Sequence, residues 1–280
     1  MSNSSNPLSQ YFRQPAVYLR LPSGGSFYPK DALEMTATGE LPVYPMTALD
    51  EITYRTPDAL FNGQAVVNVI QSCVPNIKNA WAMPSIDLNA VLTSIRIASY
   101  GHTLELETEC PACKETNEYE ADLRVLLDSI NPKDFAQPLK LGDLIIQFKP
   151  MSYQESNDSN SALFEQQKTI QVIYASDIDN DEKMKSLNEA MSKITQLTMK
   201  ALKNNISAIV TPSDMVVEPE FIEEFLQNCD RQIFNQLRDH IIELRSSAEI
   251  PPMKVTCSSC EHNFSQSLTL DQTSFFDNAS

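Results

Sequence analysis

The chain has 280 residues, enough for one large domain or two smaller ones, and its 42% hydrophobic and 21% charged content is that of a globular protein. Its formal net charge of −16 is the reverse of the clustered Lys and Arg that hold a phosphate backbone, so nucleic acid is not an expected partner. No apolar run approaches a membrane span, and the first residues lack the basic and apolar stretches of a secretory signal, so a reducing cytoplasm is the expected setting.

Residues 1–15 are polar and turn-rich and read as a mobile arm. Ala16-Val-Tyr-Leu-Arg-Leu, followed by Pro-Ser-Gly-Gly, reads as a strand and turn, and Leu41-Pro-Val-Tyr-Pro-Met as extended chain. Thr47 looks like an N-cap, with Asp50 and Glu51 in the first turn of a helix to about Tyr54. Thr56-Pro57-Asp58 repeats that signal, and Asn62-Gly63 reads as a turn. Gln64 to Cys73 carries apolar residues at helical spacing, with Cys73 as a small core residue. Asp87 is expected to cap a helix with Leu88, Val91, Leu92, Ile95 and Ala98 on one face, stopped by Gly101.

Cys110-Pro-Ala-Cys113 then stands between two strand-like stretches, Thr103–Glu109 and Glu115–Ala121. Leu139 to Lys149 reads as a strand pair around Gly142-Asp143. From about Tyr153 to Arg245 the pattern turns helical, with segments around 153–174, 181–202, 218–226 and 230–245, and Met184, Met191 and Met199 are expected to fill core. Pro251-Pro252 ends this block. A second pair, Cys257-Ser-Ser-Cys260, follows between Met253–Thr256 and Asn263–Leu270.

Two Cys-x-x-Cys turns at hairpin tips are the sequence form of zinc knuckles, and two knuckles complete one tetrahedral site. Cys110, Cys113, Cys257 and Cys260 are therefore expected to share one structural Zn²⁺ per chain. Free thiols are the next reading. Redox chemistry ranks last, because a redox pair sits at a helix N-terminus. His262 stands close enough to replace a ligand, but four thiolates already close the shell and leave no open position for a substrate. Asp177-Ile-Asp179-Asn-Asp181 begins like a Ca²⁺ loop but has Glu182 where Gly is needed and Asn188 where the bidentate Glu is needed. Six glycines and no phosphate-loop motif, with three His outside any nucleophile–base context, point away from an enzyme.

The stretch from Leu41-Pro-Val-Tyr-Pro-Met through Thr-Pro-Asp-Ala-Leu-Phe-Asn-Gly to Ser-Cys-Val-Pro-Asn-Ile resembles the signature of the T-even-type bacteriophage baseplate (hub-associated) protein family. Leu21-Pro-Ser-Gly-Gly-Ser-Phe-Tyr-Pro and Asp87 to Gly101 are similar to the same family, over about residues 17–120. The resemblance implies a structural subunit of a contractile-tail baseplate, at or near the hub, located in the virion and assembled in the host cytoplasm. Its partners would be other baseplate and tail hub proteins in a symmetric multi-subunit assembly. A tail assembly chaperone absent from the finished particle, a zinc-ribbon regulatory protein and a metalloenzyme are the rivals. Asp50, Arg55 and Asn62 are the candidate partner-contact residues, on the expectation that they are exposed.

The fold class expected is α+β: an arm over 1–15, a mainly helical domain over 16–101, a zinc ribbon from 102–122 plus 252–274, and an inserted strand pair and helical domain over 123–251.

Overall fold

The computed structural model describes residues 6–55, 63–130, 132, 134–176 and 179–267. Mixed helices and small antiparallel sheets make it α+β. The reading of Thr56-Pro57-Asp58 as a helix start, the candidate Asn62, Asp177, and the end of the last strand at 268–270 lie outside the described residues.

A first hydrophobic core gathers around two short helices. Strands β1 (Val17–Leu19) and β2 (Leu41–Val43) pair antiparallel beside them. Helix α1 (Ala48–Tyr54) starts with a capping box: the Thr47 side chain accepts from the Asp50 N–H, and the Asp50 carboxylate accepts from the Thr47 N–H. Helix α2 (Gln64–Cys73) buries Val66, Val69, Ile70 and Cys73, the face that its spacing predicts. Helix α3 (Leu88–Tyr100) runs to Gly101, whose φ of 89° ends it.

Asp87 does not cap α3. It is fully buried, and its carboxylate instead accepts from the Ser23 N–H (2.8 Å), the Ser23 hydroxyl (2.6 Å) and the Tyr28 hydroxyl (2.9 Å). The helix is entered through a 3₁₀ turn, Ser85–Asp87, which takes the place of a side-chain cap.

Strands β3 (Thr103–Glu109) and β4 (Thr116–Asp122) form the first hairpin. Its base is rooted in the first core through Leu104 and Ala121, as is helix α4 (Leu123–Asp128) through Leu123 and Leu126.

A second core lies under a four-stranded antiparallel sheet in the order β5 (Leu139–Leu141), β6 (Leu144–Phe148), β7 (Ile206–Val210), β8 (Met215–Val216). Between β6 and β7 the chain leaves as a long hairpin of two helices, α5 (Tyr153–Ala175) and α6 (Asn180–Asn204). A Ser152–Glu155 capping box starts α5, and Asp179 caps α6. Helices α7 (Pro219–Asn228) and α8 (Arg231–Ser246) then close the second core with Ile222, Leu226, Leu237, Ile241 and Leu244.

The block read as helical from Tyr153 to Arg245 is therefore interrupted by a strand. Ile206-Ser-Ala-Ile-Val is a short β-branched run, and it pairs with β6 across the sheet. A second correction concerns the methionines. Met184 and Met191 are 60% and 53% exposed, so neither fills core. The last hairpin, β9 (Met253–Thr256) and β10 (Asn263–Gln266), lies against the first, with hydrogen bonds from Tyr119 to Thr256 and from Thr108 to Gln266.

Candidate metal centre

Both Cys-x-x-Cys turns are built alike. In the first, Cys110 N–H donates to Glu115 O (2.9 Å) and Lys114 N–H to Cys110 O (2.9 Å). In the second, Cys257 N–H donates to His262 O (2.9 Å) and Glu261 N–H to Cys257 O (3.0 Å). Lys114 and Glu261, each just past the second cysteine, have φ of 66° and 56°. A non-glycine residue in the left-handed region is uncommon, and here it recurs at the equivalent place in both turns. It folds the backbone back so that N–H groups meet sulfur. Glu115 N–H faces Cys113, His262 N–H faces Cys260, and the N–H groups of Cys260 and Ser259 face Cys257.

The four sulfurs converge to within 4.8 Å of one another. Cys110 Sγ lies 3.7 Å from Cys260 Sγ, and Cys113 Sγ lies 3.6 Å from Cys257 Sγ. A tetrahedron with metal–sulfur bonds of about 2.3 Å has sulfur–sulfur edges of about 3.8 Å. A disulfide needs about 2.05 Å, and all four cysteines are free. Cys110 and Cys257 are buried, whereas Cys113 and Cys260 face solvent.

Two of the thiols are drawn in opposite directions. The Cys260 N–H, followed by that of Ser259 and the Asn117 side chain, pulls Cys257 down to about 6. Cys260 is pushed up to about 12: the His262 N–H favours its thiolate, but the neighbouring Cys113, desolvation and the other two sulfurs outweigh that. Four thiolates this close cannot all ionise without a cation among them. A divalent cation would supply that charge, and the spacing and N–H···S bonds suit a closed tetrahedral thiolate site.

A residue that sequence reasoning passed over joins the two turns. Asn117 is buried. Its Nδ2 donates to Glu115 O (2.9 Å) and Cys257 Sγ (3.5 Å), and its Oδ1 accepts from the Ser258 N–H (2.8 Å) and hydroxyl (2.7 Å). Tyr119 hydroxyl donates to Thr256 O (3.0 Å), and Thr108 hydroxyl to Gln266 Oε1 (2.7 Å). His262 is exposed, stacked 6.2 Å from the Phe264 ring.

The candidate contact residues fare differently. Asp50 is buried, not exposed, because its carboxylate is used inside the chain by Thr47 and by Arg13 Nη1 at 3.2 Å. Burial works against its charge, yet hydrogen bonds from Thr47 and Ser72 and the Arg13 guanidinium hold its carboxyl below the ordinary range. Arg55 is exposed at the C-terminal end of α1. Arg13 also donates to Pro45 O (2.6 Å), Ser72 O (2.8 Å) and Ser72 Oγ (2.8 Å), so the segment read as an arm is anchored at this point. Cys73 is buried in the core, with its thiol pushed up to about 12 by burial.

Residues 45–277 match the family model described as T4 bacteriophage base plate protein. That span takes in all four clustered cysteines, the second core and the first core except Leu19, Leu21, Leu41 and Val43. No curated protein and no solved structure matches the chain.

Proposed function

Since the chain belongs to the T4 bacteriophage base plate protein family, we propose that it is a non-enzymatic structural subunit of a contractile-tail baseplate, at or near the hub, working through contacts with other baseplate proteins during tail assembly. Family membership over residues 45–277 is the observation that carries this reading. The metal centre agrees with it. Four protein sulfurs fill a tetrahedron, so a bound Zn²⁺ would have no position left for water or substrate and would act as a structural clip. An excess of carboxylates, giving the net charge of −16, favours protein partners over nucleic acid. Among the described residues, no helix is long and apolar enough to cross a membrane.

Quantitative mass spectrometry of purified particles and of baseplate intermediates tests the role. A fixed number of copies per finished baseplate, cross-linked to hub components, is the expected result. A chain abundant in intermediates but missing from finished tails would overturn it in favour of an assembly chaperone.

A further inference from the structure

The α5–α6 hairpin stands out from the body. Apart from Tyr153 at its base, α5 has no buried residue, and α6 buries only Ala190 and Leu202. Residues that hold the two helices together are shielded to differing degrees: Leu163, Ile170 and Ile173 on α5, and Leu187, Ala190, Ile194 and Leu197 on α6. Beside that seam each helix carries a second stripe. On α5 it is Asn160, Phe164, Gln167, Gln171 and Tyr174, and on α6 it is Met184, Asn188, Met191, Thr195 and Thr198. All ten are exposed, and none is charged. Both stripes have the same 4-3-4-3 spacing, the interval at which one helix meets another along a coiled-coil seam.

Helical geometry puts the two stripes on the same side of the hairpin. Both lie on the same rotational flank of the seam, and the helices run antiparallel. Apart from Glu155 at the base and Lys183, whose ammonium donates to Tyr174 O (3.0 Å) and Ser176 O (3.3 Å) near the turn, the charged residues of the pair fall on the outer and opposite sides. In a chain with 21% charged residues, a two-helix face with no charge and with Phe164, Tyr174, Met184 and Met191 52–62% exposed departs from a solvated surface.

We propose that this face binds a second copy of the chain, the two hairpins completing a four-helix bundle about a two-fold axis along their length. Self-complementarity identifies the occupant. Such an axis sets α5 of one copy against α6 of the other, running in opposite directions. Counting from the turn, Tyr174 then stands level with Met184 of the other copy, Gln171 with Asn188, and Asn160 with Thr198. Ring meets thioether, amide meets amide, and amide meets hydroxyl. The helices are complementary in net charge as well. Three carboxylates stand against one lysine on α5, and five lysines against three carboxylates on α6, so each acidic helix lies beside a basic one. The other two levels pair an apolar with a polar side chain, and the stripes are only about 21 Å long, so association is weak.

Sedimentation equilibrium of the full chain tests this. A reversible dimer with a Kd between about 1 and 100 μM is expected. Tyr174→Glu/Met184→Glu should be monomeric throughout that range, with the helical circular dichroism of the parent. Val172→Glu, which alters an exposed apolar residue of α5 outside the stripe, should dimerise like the parent. A parent chain that stays monomeric to about 100 μM overturns the proposal and leaves the face to a different protein. A dimer that survives the double substitution, or is lost in Val172→Glu, overturns it equally.

Discussion

Asn117 accepts two hydrogen bonds from Ser258, from its N–H at 2.8 Å and its hydroxyl at 2.7 Å, across 141 positions of sequence. With its amide also on Cys257 Sγ, one side chain fixes the second knuckle against the first.

Asn117→Ala should therefore weaken metal binding without removing a ligand. Polar partners that orient metal ligands typically change affinity by about 10–100-fold when lost. Losing the Asn117 hydrogen bonds to Ser258 should cost about 0.5–1.5 kcal/mol of stability as well. Competition against a chromophoric chelator, together with thermal melting, measures both. An unchanged affinity would show that the cysteines alone hold the geometry.

Elemental analysis should find one Zn²⁺ per chain. Cys110→Ser and Cys257→Ser should each abolish it, because each removes a corner of the same tetrahedron. Two metals per chain, or loss in only one variant, would rule out a shared site. Chelation should raise hydrogen exchange in residues 120–250 more than in residues 16–101. Equal protection with and without chelator would count against the clip.

Arg13 offers a test far from the metal. Its guanidinium serves Asp50, Pro45 and Ser72 at once, and its side chain is only 26% exposed. Arg13→Ala should cost about 1.5–3 kcal/mol in urea unfolding, the range for hydrogen bonds to charged groups. Arg13→Lys should recover only part of this, because a point charge cannot reach several acceptors as a planar fork does.

Asp87 predicts an unusual pH dependence. Burial raises its carboxyl to about 6, against the opposing pull of the Ser23 and Tyr28 hydrogen bonds. In the unfolded chain it titrates near 3.8. Between these values the unfolded state releases the proton first, so the stability of the folded state falls as pH rises from about 4 to about 6. Most structural carboxylates act in the opposite sense, as Asp50 does with its lowered carboxyl. Asp87→Asn should lack this slope. The stability of the parent relative to Asp87→Asn should decrease across that window by up to about 1.4 kcal/mol per pH unit. A flat difference would place the Asp87 carboxyl in its ordinary range.

The parts of this architecture legible in the sequence are those governed by local chemistry. Thr47 with Asp50 announces a capped helix, the Gln64–Cys73 spacing shows the buried face, and two Cys-x-x-Cys turns inside strand-like flanks announce four cysteines close enough to hold a metal ion. What escaped was set by distance along the chain. Asp87 looks like a cap because caps are local, yet its donors lie 59 and 64 positions away. Asn117 carries no signal at all until Ser258 is brought to it. The strand Ile206–Val210 was masked by long helices on either side, although its β-branched residues and the following Thr-Pro-Ser turn were visible. Met184 and Met191 read as core because apolar spacing does not tell a face covered within the chain from one that stays exposed.

The metal centre also sets a timetable. Cys257 follows Cys113 by 144 positions. At about 5–20 residues per second of synthesis, the first knuckle stands complete for roughly 7–30 s before the first sulfur of the second exists. During that interval the ribosome presents two thiols that fill half a coordination shell. A cation held by those two alone would be bound less tightly than one held by all four. Closure of the four-cysteine set therefore waits for the second hairpin.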